Sequence, residues 1–141
     1  MKKIMFLCTG NSCRSQMAEG FAREFGKGLI EPYSAGLMAV GVHQRAIAVM
    51  KEAGIDITGQ KSEEIDEGLL RTMDMVITLC SNAEEACPYT PPEIMRIHWP
   101  ITDPVGTSGT EAEITKEFRR ARDEIREKIE NLIRLMKKGG V

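Results

Sequence analysis

Net charge is nearly absent from this chain: 19 basic residues stand against 21 acidic ones, a balance of −2. No global field therefore draws it to nucleic acid or to an anionic lipid surface. Long apolar runs are missing too, and no stretch approaches the ~20 residues needed to span a bilayer. The N-terminal run Met1-Lys2-Lys3-Ile4-Met5-Phe6-Leu7-Cys8 holds too few apolar residues for a signal peptide. Internal repeats and low-complexity tracts do not occur. Disordered and fibrous classes are excluded by a composition that is 42% hydrophobic and 28% charged. What is left is a soluble, cytosolic chain of 141 residues, long enough for a single domain over 1–141 and too short for two.

Four cysteines are present: Cys8, Cys13, Cys80 and Cys87. In a reducing compartment they do not form a structural disulfide framework, so they are packing thiols, metal ligands or catalytic groups. A four-cysteine zinc site uses two tight pairs, and the wide Cys80–Cys87 spacing does not supply one. His43 and His98 have no cysteine or carboxylate at ligand spacing and read as structural. The nine methionines are spread over core faces.

Strand-like and helix-like pieces alternate along the chain. Lys3 to Cys8 reads as a strand, Gln16 to Phe25 as a helix and Glu31 to Ala35 as a second strand, with Gly36 as punctuation. His43 to Ala53 is helical, and Gly54 stands where a helix-terminating glycine belongs. Ser62 opens another expected helix carrying Ile65, Leu69, Leu70 and Met73. Met75 to Cys80 is the clearest buried strand, and Ile94 to Trp99 is a further one. From Ile114 to Met136 apolar residues recur every three or four positions, forming one stripe of a long final helix. Its exposed face offers Glu124 with Lys128 and Glu130 with Arg134 as i,i+4 pairs, and Gly106 to Thr110 before it reads as a flexible loop. The expected fold is α/β, with a central parallel sheet of about four strands and helices on both faces. Such sheets bind ligands at the carboxyl ends of their strands.

The first of these strand ends carries Cys8-Thr9-Gly10-Asn11-Ser12-Cys13-Arg14-Ser15. Gly10, and to a lesser degree Asn11, tolerate backbone angles closed to other residues. The loop can therefore curl until successive N–H groups face inward at a helix N-terminus, which makes an anion site. Arg14 adds a fork of donors matched to a tetrahedral oxyanion. Cys8 lies at the floor of this cradle, where amides, helix and arginine all favour its thiolate. Ser15 can donate a hydrogen bond to that sulfur.

This loop resembles that of low-molecular-weight protein tyrosine phosphatases and of the arsenate reductases that share their fold. The likeness extends to Ser15-Gln16-Met17-Ala18-Glu19-Gly20, Tyr33-Ser34-Ala35-Gly36, Val76-Ile77-Thr78-Leu79-Cys80 and Asp103-Pro104, and so covers nearly the whole chain. It implies that Thr9, Gly10, Asn11, Ser12, Cys13 and Arg14 bind the oxyanion, that Cys8 is the nucleophile and that Asp103 is the general acid. It also offers a potassium ion beside the loop, near Asn11, Glu19 and Ser34, with Glu63 as the fourth group.

Two activities fit the resemblance. A phosphatase needs the loop and the acid alone and gains from aromatic rings at the mouth; this chain is only 5% aromatic and has Val105 after Asp103-Pro104. Reducing arsenate to arsenite consumes two electrons, so Cys8 needs a thiol partner. Cys80 lies at the sheet edge that also carries Cys8, and Ser81 with Glu84 suggests a capping box that starts a short helix toward Cys87. Seven helical residues separate Cys80 from Cys87 by about 10 Å, at ~1.5 Å per residue. A disulfide needs Cα atoms within roughly 4.4–6.8 Å, so pairing them requires the helix to unwind. A dithiol protein reduces such a strained disulfide readily.

Thioredoxin-coupled arsenate reductases carry two cysteines at this spacing after the same strand, and the reductase reading is preferred on that ground. The resemblance then implies a relay. Cys8 attacks arsenate, Cys80 attacks Cys8 and releases arsenite, and Cys87 attacks Cys80. Thioredoxin restores the resulting Cys80–Cys87 pair, and no bound cofactor is required. Phosphate and sulfate are expected to act as arsenate analogues. Cys13 has no place in the relay. A monomer is expected, with neither nucleic acid nor membrane as a partner. The alternative is a low-molecular-weight tyrosine phosphatase that hydrolyses phosphate monoesters.

Overall fold

A computed structural model describes residues 1–87 and 90–140. In chain order its elements are β1 (Lys2–Cys8), α1 (Arg14–Phe25), β2 (Ile30–Gly36), α2 (Gln44–Glu52), α3 (Glu67–Leu70), β3 (Met75–Thr78), α4 (Ser81–Ala86), β4 (Met95–His98) and α5 (Glu111–Lys137). All strand pairs are parallel, and the sheet order is β2-β1-β3-β4. The α/β architecture and the four-stranded parallel sheet match the expectation from sequence.

This order positions the site. From β1 the chain crosses to β2 on one side, and from β3 it crosses to β4 on the other. Right-handed crossovers in opposite directions place their helices, α1 and α4, on opposite faces of the sheet. Between the carboxyl ends of β1 and β3 the connections diverge and leave a crevice, the position where open α/β sheets bind ligands. Cys8 ends β1, and Cys80 lies just past the end of β3.

The two central strands are apolar almost throughout because both of their faces are covered. Ile4, Met5, Phe6, Leu7, Val76 and Ile77 are all buried. On α5, Phe118, Ala121, Ile125, Ile129, Leu132 and Ile133 form the buried stripe that their periodicity predicts. The helix packs on α1 and α2. Thr110 caps it: the Thr110 hydroxyl accepts from Glu113 N–H at 3.1 Å, and Glu113 accepts from Thr110 N–H at 3.2 Å. The end of the expected loop is therefore a fixed helix start.

Three expectations are corrected. The stretch from Ser62 is not helical until Glu67, because Gly36 N–H donates to the Glu63 carbonyl at 2.9 Å and Ile65 N–H to the Gly36 carbonyl at 3.1 Å. Those bonds hold 63–65 extended against the end of β2, and Asp66 caps the short α3. At α4 the cap is not Ser81 but the Cys80 thiol, which accepts from Ala83 N–H at 3.3 Å. Glu84, freed from any capping role, turns to Thr78. Along α5, the i,i+4 ion pairs among the described residues are Arg120–Glu124 and Arg126–Glu130, rather than Glu124–Lys128 and Glu130–Arg134.

Candidate active site

Between β1 and α1, Thr9–Cys13 curl into a loop whose carbonyls are bonded from outside. Leu37, Met38, Val40 and His43 donate their N–H groups to the carbonyls of Cys8, Thr9, Gly10 and Ser12 at 3.3, 3.1, 3.1 and 2.9 Å. Gln16 Nε2 donates to the Asn11 carbonyl at 3.0 Å. With every carbonyl from Cys8 to Ser12 bonded outward, the amides are left to the centre. Among the described residues no N–H from Thr9 to Cys13 makes a backbone hydrogen bond. Such an arc of donors at a helix N-terminus suits an anion.

Two residues make the curl possible. Asn11 takes a left-handed φ of 47°, which an asparagine tolerates better than most residues. Gly36, at the end of β2, lies against the loop backbone so closely that a Cβ there would sit 2.6 Å from the Asn11 nitrogen and 2.9 Å from the Thr9 oxygen. The segment that bonds the loop carbonyls starts from this glycine.

Cys8 is buried at the floor, its Sγ 2.8 Å from Ser15 Oγ. Asn11 Nδ2 donates to the same Ser15 oxygen at 2.7 Å. With one lone pair engaged, the Ser15 hydroxyl still has its hydrogen to offer a Cys8 thiolate, the polarity that would stabilise the anion. Arg14 is held by a bond from one terminal nitrogen to the Ile101 carbonyl at 2.9 Å, and the other lies 3.4 Å from Asp103 Oδ2. Asp103 also accepts from Val105 N–H at 3.0 Å. Thr9, Gly10, Ser12 and Cys13 join Cys8, Arg14 and Asp103 around a cavity of about 210 Å³, rimmed by Met38, Val40 and Val105. Burial first, then the nearby Asp103 and Cys8, pushes the Cys13 thiol far up, so it packs as a neutral group.

A second thiol reaches the mouth from β3. Cys80 Sγ lies 3.2 Å from Thr9 Oγ1 in the loop itself. Cys87 follows six helical residues later at the other end of α4 and is half-buried, with burial raising its thiol above the ordinary range. All four thiols are free.

A larger cavity of about 640 Å³ lies behind the loop, lined in part by Glu19, Arg23, Ser34, Gln60 and Glu63. The resemblance places potassium in this region, and Glu19 and Ser34 do meet there. As arranged, these oxygens are bonded within the protein. Ser34 donates to one Glu19 oxygen at 2.5 Å, Arg23 ion-pairs with the other at 2.6 Å, and Asn11 Oδ1 already accepts from Glu63 N–H at 2.7 Å. Burial raises the Glu19 pKa, and the guanidinium beside it supplies the compensating charge.

The low molecular weight phosphotyrosine protein phosphatase model matches residues 3–140. The chain belongs to that family. Within it, an arsenate reductase of Bacillus licheniformis is 52% identical over 128 residues, covering 91% of this chain and 92% of that protein. One of Bacillus subtilis is 51% identical, covering 88% of this chain and 89% of its own. Among solved structures, an arsenate reductase in its oxidized state superposes with a TM-score of 0.81 at 42% identity, covering 94% of this chain and 97% of its own.

The family's loop was legible in sequence because it is contiguous. Several groups that set its shape were less so: Gly36 read as punctuation and as the end of the Tyr33-Ser34-Ala35-Gly36 likeness, with no sign of its contact with the loop, and residues 37–42 carried no signal. The Thr9–Cys80 contact joins residues 71 positions apart. It exists only because β3 lies beside β1.

Proposed function

We propose that this protein is an arsenate reductase working by a three-thiol relay. The observation that carries the reading is the second thiol at the mouth: Cys80 touches the oxyanion loop through Thr9, with Cys87 one short helix away. A phosphatase of this family has no use for either. The amides and Arg14 hold arsenate while Cys8 attacks arsenic, and Asp103 protonates the departing oxygen. Cys80 then attacks the Cys8 sulfur. The sulfur–arsenic bond breaks with its electron pair going to arsenic, so arsenic(V) leaves as arsenite and the two thiols become the Cys8–Cys80 disulfide. Attack by Cys87 on Cys80 frees Cys8, and thioredoxin reduces the resulting Cys80–Cys87 pair.

The test is a single turnover. Reduced protein is mixed with arsenate, free thiols are blocked, and disulfides are mapped by peptide mass. About one arsenite released per protein with a Cys80–Cys87 disulfide is expected from this relay. Four free thiols together with hydrolysis of an aryl phosphate would instead mark a phosphatase.

A further inference from the structure

Between β4 and α5 the chain carries Asp103 to the oxyanion cavity without regular secondary structure. It leaves the sheet in stages. Trp99 N–H donates to the Thr78 carbonyl at 2.8 Å and Ile101 N–H to the Leu79 carbonyl at 3.1 Å, and both side chains are buried. Beyond Ile101 that ladder stops: among the described residues, neither Thr102 N–H nor Asp103 N–H makes a backbone hydrogen bond. Two arginines take over, each from a different helix. Arg14 on α1 donates to the Ile101 carbonyl at 2.9 Å, and Arg120 on α5 donates to the Thr102 carbonyl at 3.1 Å. Asp103 is the next residue.

Arg120 is itself fixed in place. Its Nε donates to Glu117 at 2.8 Å, its Nη1 lies 3.2 Å from Glu124, and its Nη2 makes the bond to Thr102. Three nitrogens have three partners, and two carboxylates offset the charge of one guanidinium. On the same stretch of α5, Phe118 and Ala121 are buried. The Phe118 ring packs on His43, with centroids 5.0 Å apart, and His43 N–H bonds the Ser12 carbonyl of the oxyanion loop. One turn of α5 therefore reaches both halves of the site. Through His43 it meets the loop that holds the anion, and through Arg120 the segment that carries the acid.

We propose that Arg120 is a positioning residue for the Asp103 acid, holding it at the anion when Arg14 cannot. The inference rests on the reading of Asp103 as proton donor. An acid ready to donate its proton is uncharged, and an uncharged carboxyl makes no ion pair with Arg14. An oxyanion in the cavity also competes for the Arg14 donors. Both changes weaken the 3.4 Å contact between Arg14 and Asp103 when the acid is needed. The bond from Arg120 goes to a backbone carbonyl, so it depends neither on the charge of Asp103 nor on the anion. It keeps the Thr102–Asp103 peptide in place during the first step. There the Cys8–arsenic bond forms and the bond from arsenic to a hydroxyl oxygen breaks. That hydroxyl leaves as water with the Asp103 proton, and Asp103 ends as carboxylate.

The test is a double-mutant cycle read by arsenite release in a single turnover. Arg120→Gln should lower the rate at saturating arsenate by about tenfold, part of the ~10²–10⁴ that a placed general acid contributes. The arsenate concentration giving half the maximal rate should not change, since Arg120 acts on the acid's segment rather than on the anion. Asp103→Asn removes the proton and should slow release further, and adding Arg120→Gln to it should cost nothing more. A merely structural residue would slow both backgrounds alike. Glu117→Gln with Glu124→Gln keeps the arginine but frees its head, and should slow release by about two- to fivefold, the reach of exposed ion pairs. This pair stands in for Arg120→Gln in the cycle if that variant does not fold. An unchanged maximal rate, a loss confined to half-saturation, or an equal loss with and without Asp103 would overturn the proposal. Release as fast in Asp103→Asn as in wild type would remove the acid, and the role of Arg120 with it. No arsenite from the wild type would instead sink the reductase reading alone. The same cycle would then be run on an aryl phosphate, where Asp103 protonates the departing phenolate.

Discussion

Ser15 receives a hydrogen bond from Asn11 and lies 2.8 Å from the Cys8 sulfur, so its hydroxyl is placed to stabilise a thiolate there. A hydrogen bond to a charged group is worth about 1.5–3 kcal/mol. Ser15→Ala should therefore lower the rate of the first arsenate step by about ten- to a hundredfold. Rapid-quench measurement of arsenite release checks this. Gly36 makes a contrasting case. A methyl group there would press on the Asn11 nitrogen at 2.6 Å and on two carbonyl oxygens. Overpacking of this kind costs about 1–3 kcal/mol. Because the strain falls on the loop, Gly36→Ala should weaken phosphate binding, measured by calorimetry, more than it lowers the melting temperature.

At the scale of elements, the caps separate what local sequence decides from what tertiary contact decides. Thr110 with Glu113 is a capping box written within four residues, and the structure forms it. Ser81 with Glu84 has the same spacing but is overruled, because Thr78, Arg96 and His98 draw the Glu84 carboxylate onto the sheet and the Cys80 thiol takes the cap. Melting curves distinguish the two. Thr110→Ala should cost about 1 kcal/mol, the usual value of a lost N-cap. Ser81→Ala, on an exposed surface, should stay within about 0.5 kcal/mol.

The same division explains what was readable beforehand. Strands, α1, α5 and the oxyanion loop follow from periodicity and contiguous motifs. The false helix start at Ser62 arose because 63–65 pair with Gly36, which no local pattern records. The contacts of Glu84 with Thr78, Arg96 and His98 depend on the β3–β4 register, where Thr78 stands opposite His98, and no local motif records them.

For the molecule as a whole, acid sensitivity follows from how α5 is fastened. Arg119 and Arg122 hydrogen-bond Glu52 on α2 and hold its carboxyl down to about 2. A depressed carboxylate adds stability that is complete above its unfolded pKa and is lost as pH falls through the folded one. This contribution therefore fades from about pH 4.5 down to about 2. Glu19, raised by burial, acts with the opposite sign: its ionised form is disfavoured in the fold, so part of the acid loss is offset. Thermal unfolding followed from pH 7 to pH 2 should show Glu52→Gln losing less of its melting temperature below pH 4.5 than the wild type. Because Glu52 lies at the surface, that difference should shrink in high salt.

The neighbouring positions of β1 and β3 have one more consequence. Cys8 and Cys80 lie at neighbouring strand ends but about seventy residues apart in the chain, so in the relay proposed above the intermediate that joins them would be, for its lifetime, a cyclised protein. A ring of that size removes about 4 kcal/mol of freedom from the unfolded state. The following Cys80–Cys87 ring is far smaller and restrains the unfolded chain less. On that relay, each turnover would tighten the knot around the oxyanion and then loosen it, and the protein would be hardest to unfold, and to proteolyse, at the moment arsenite leaves.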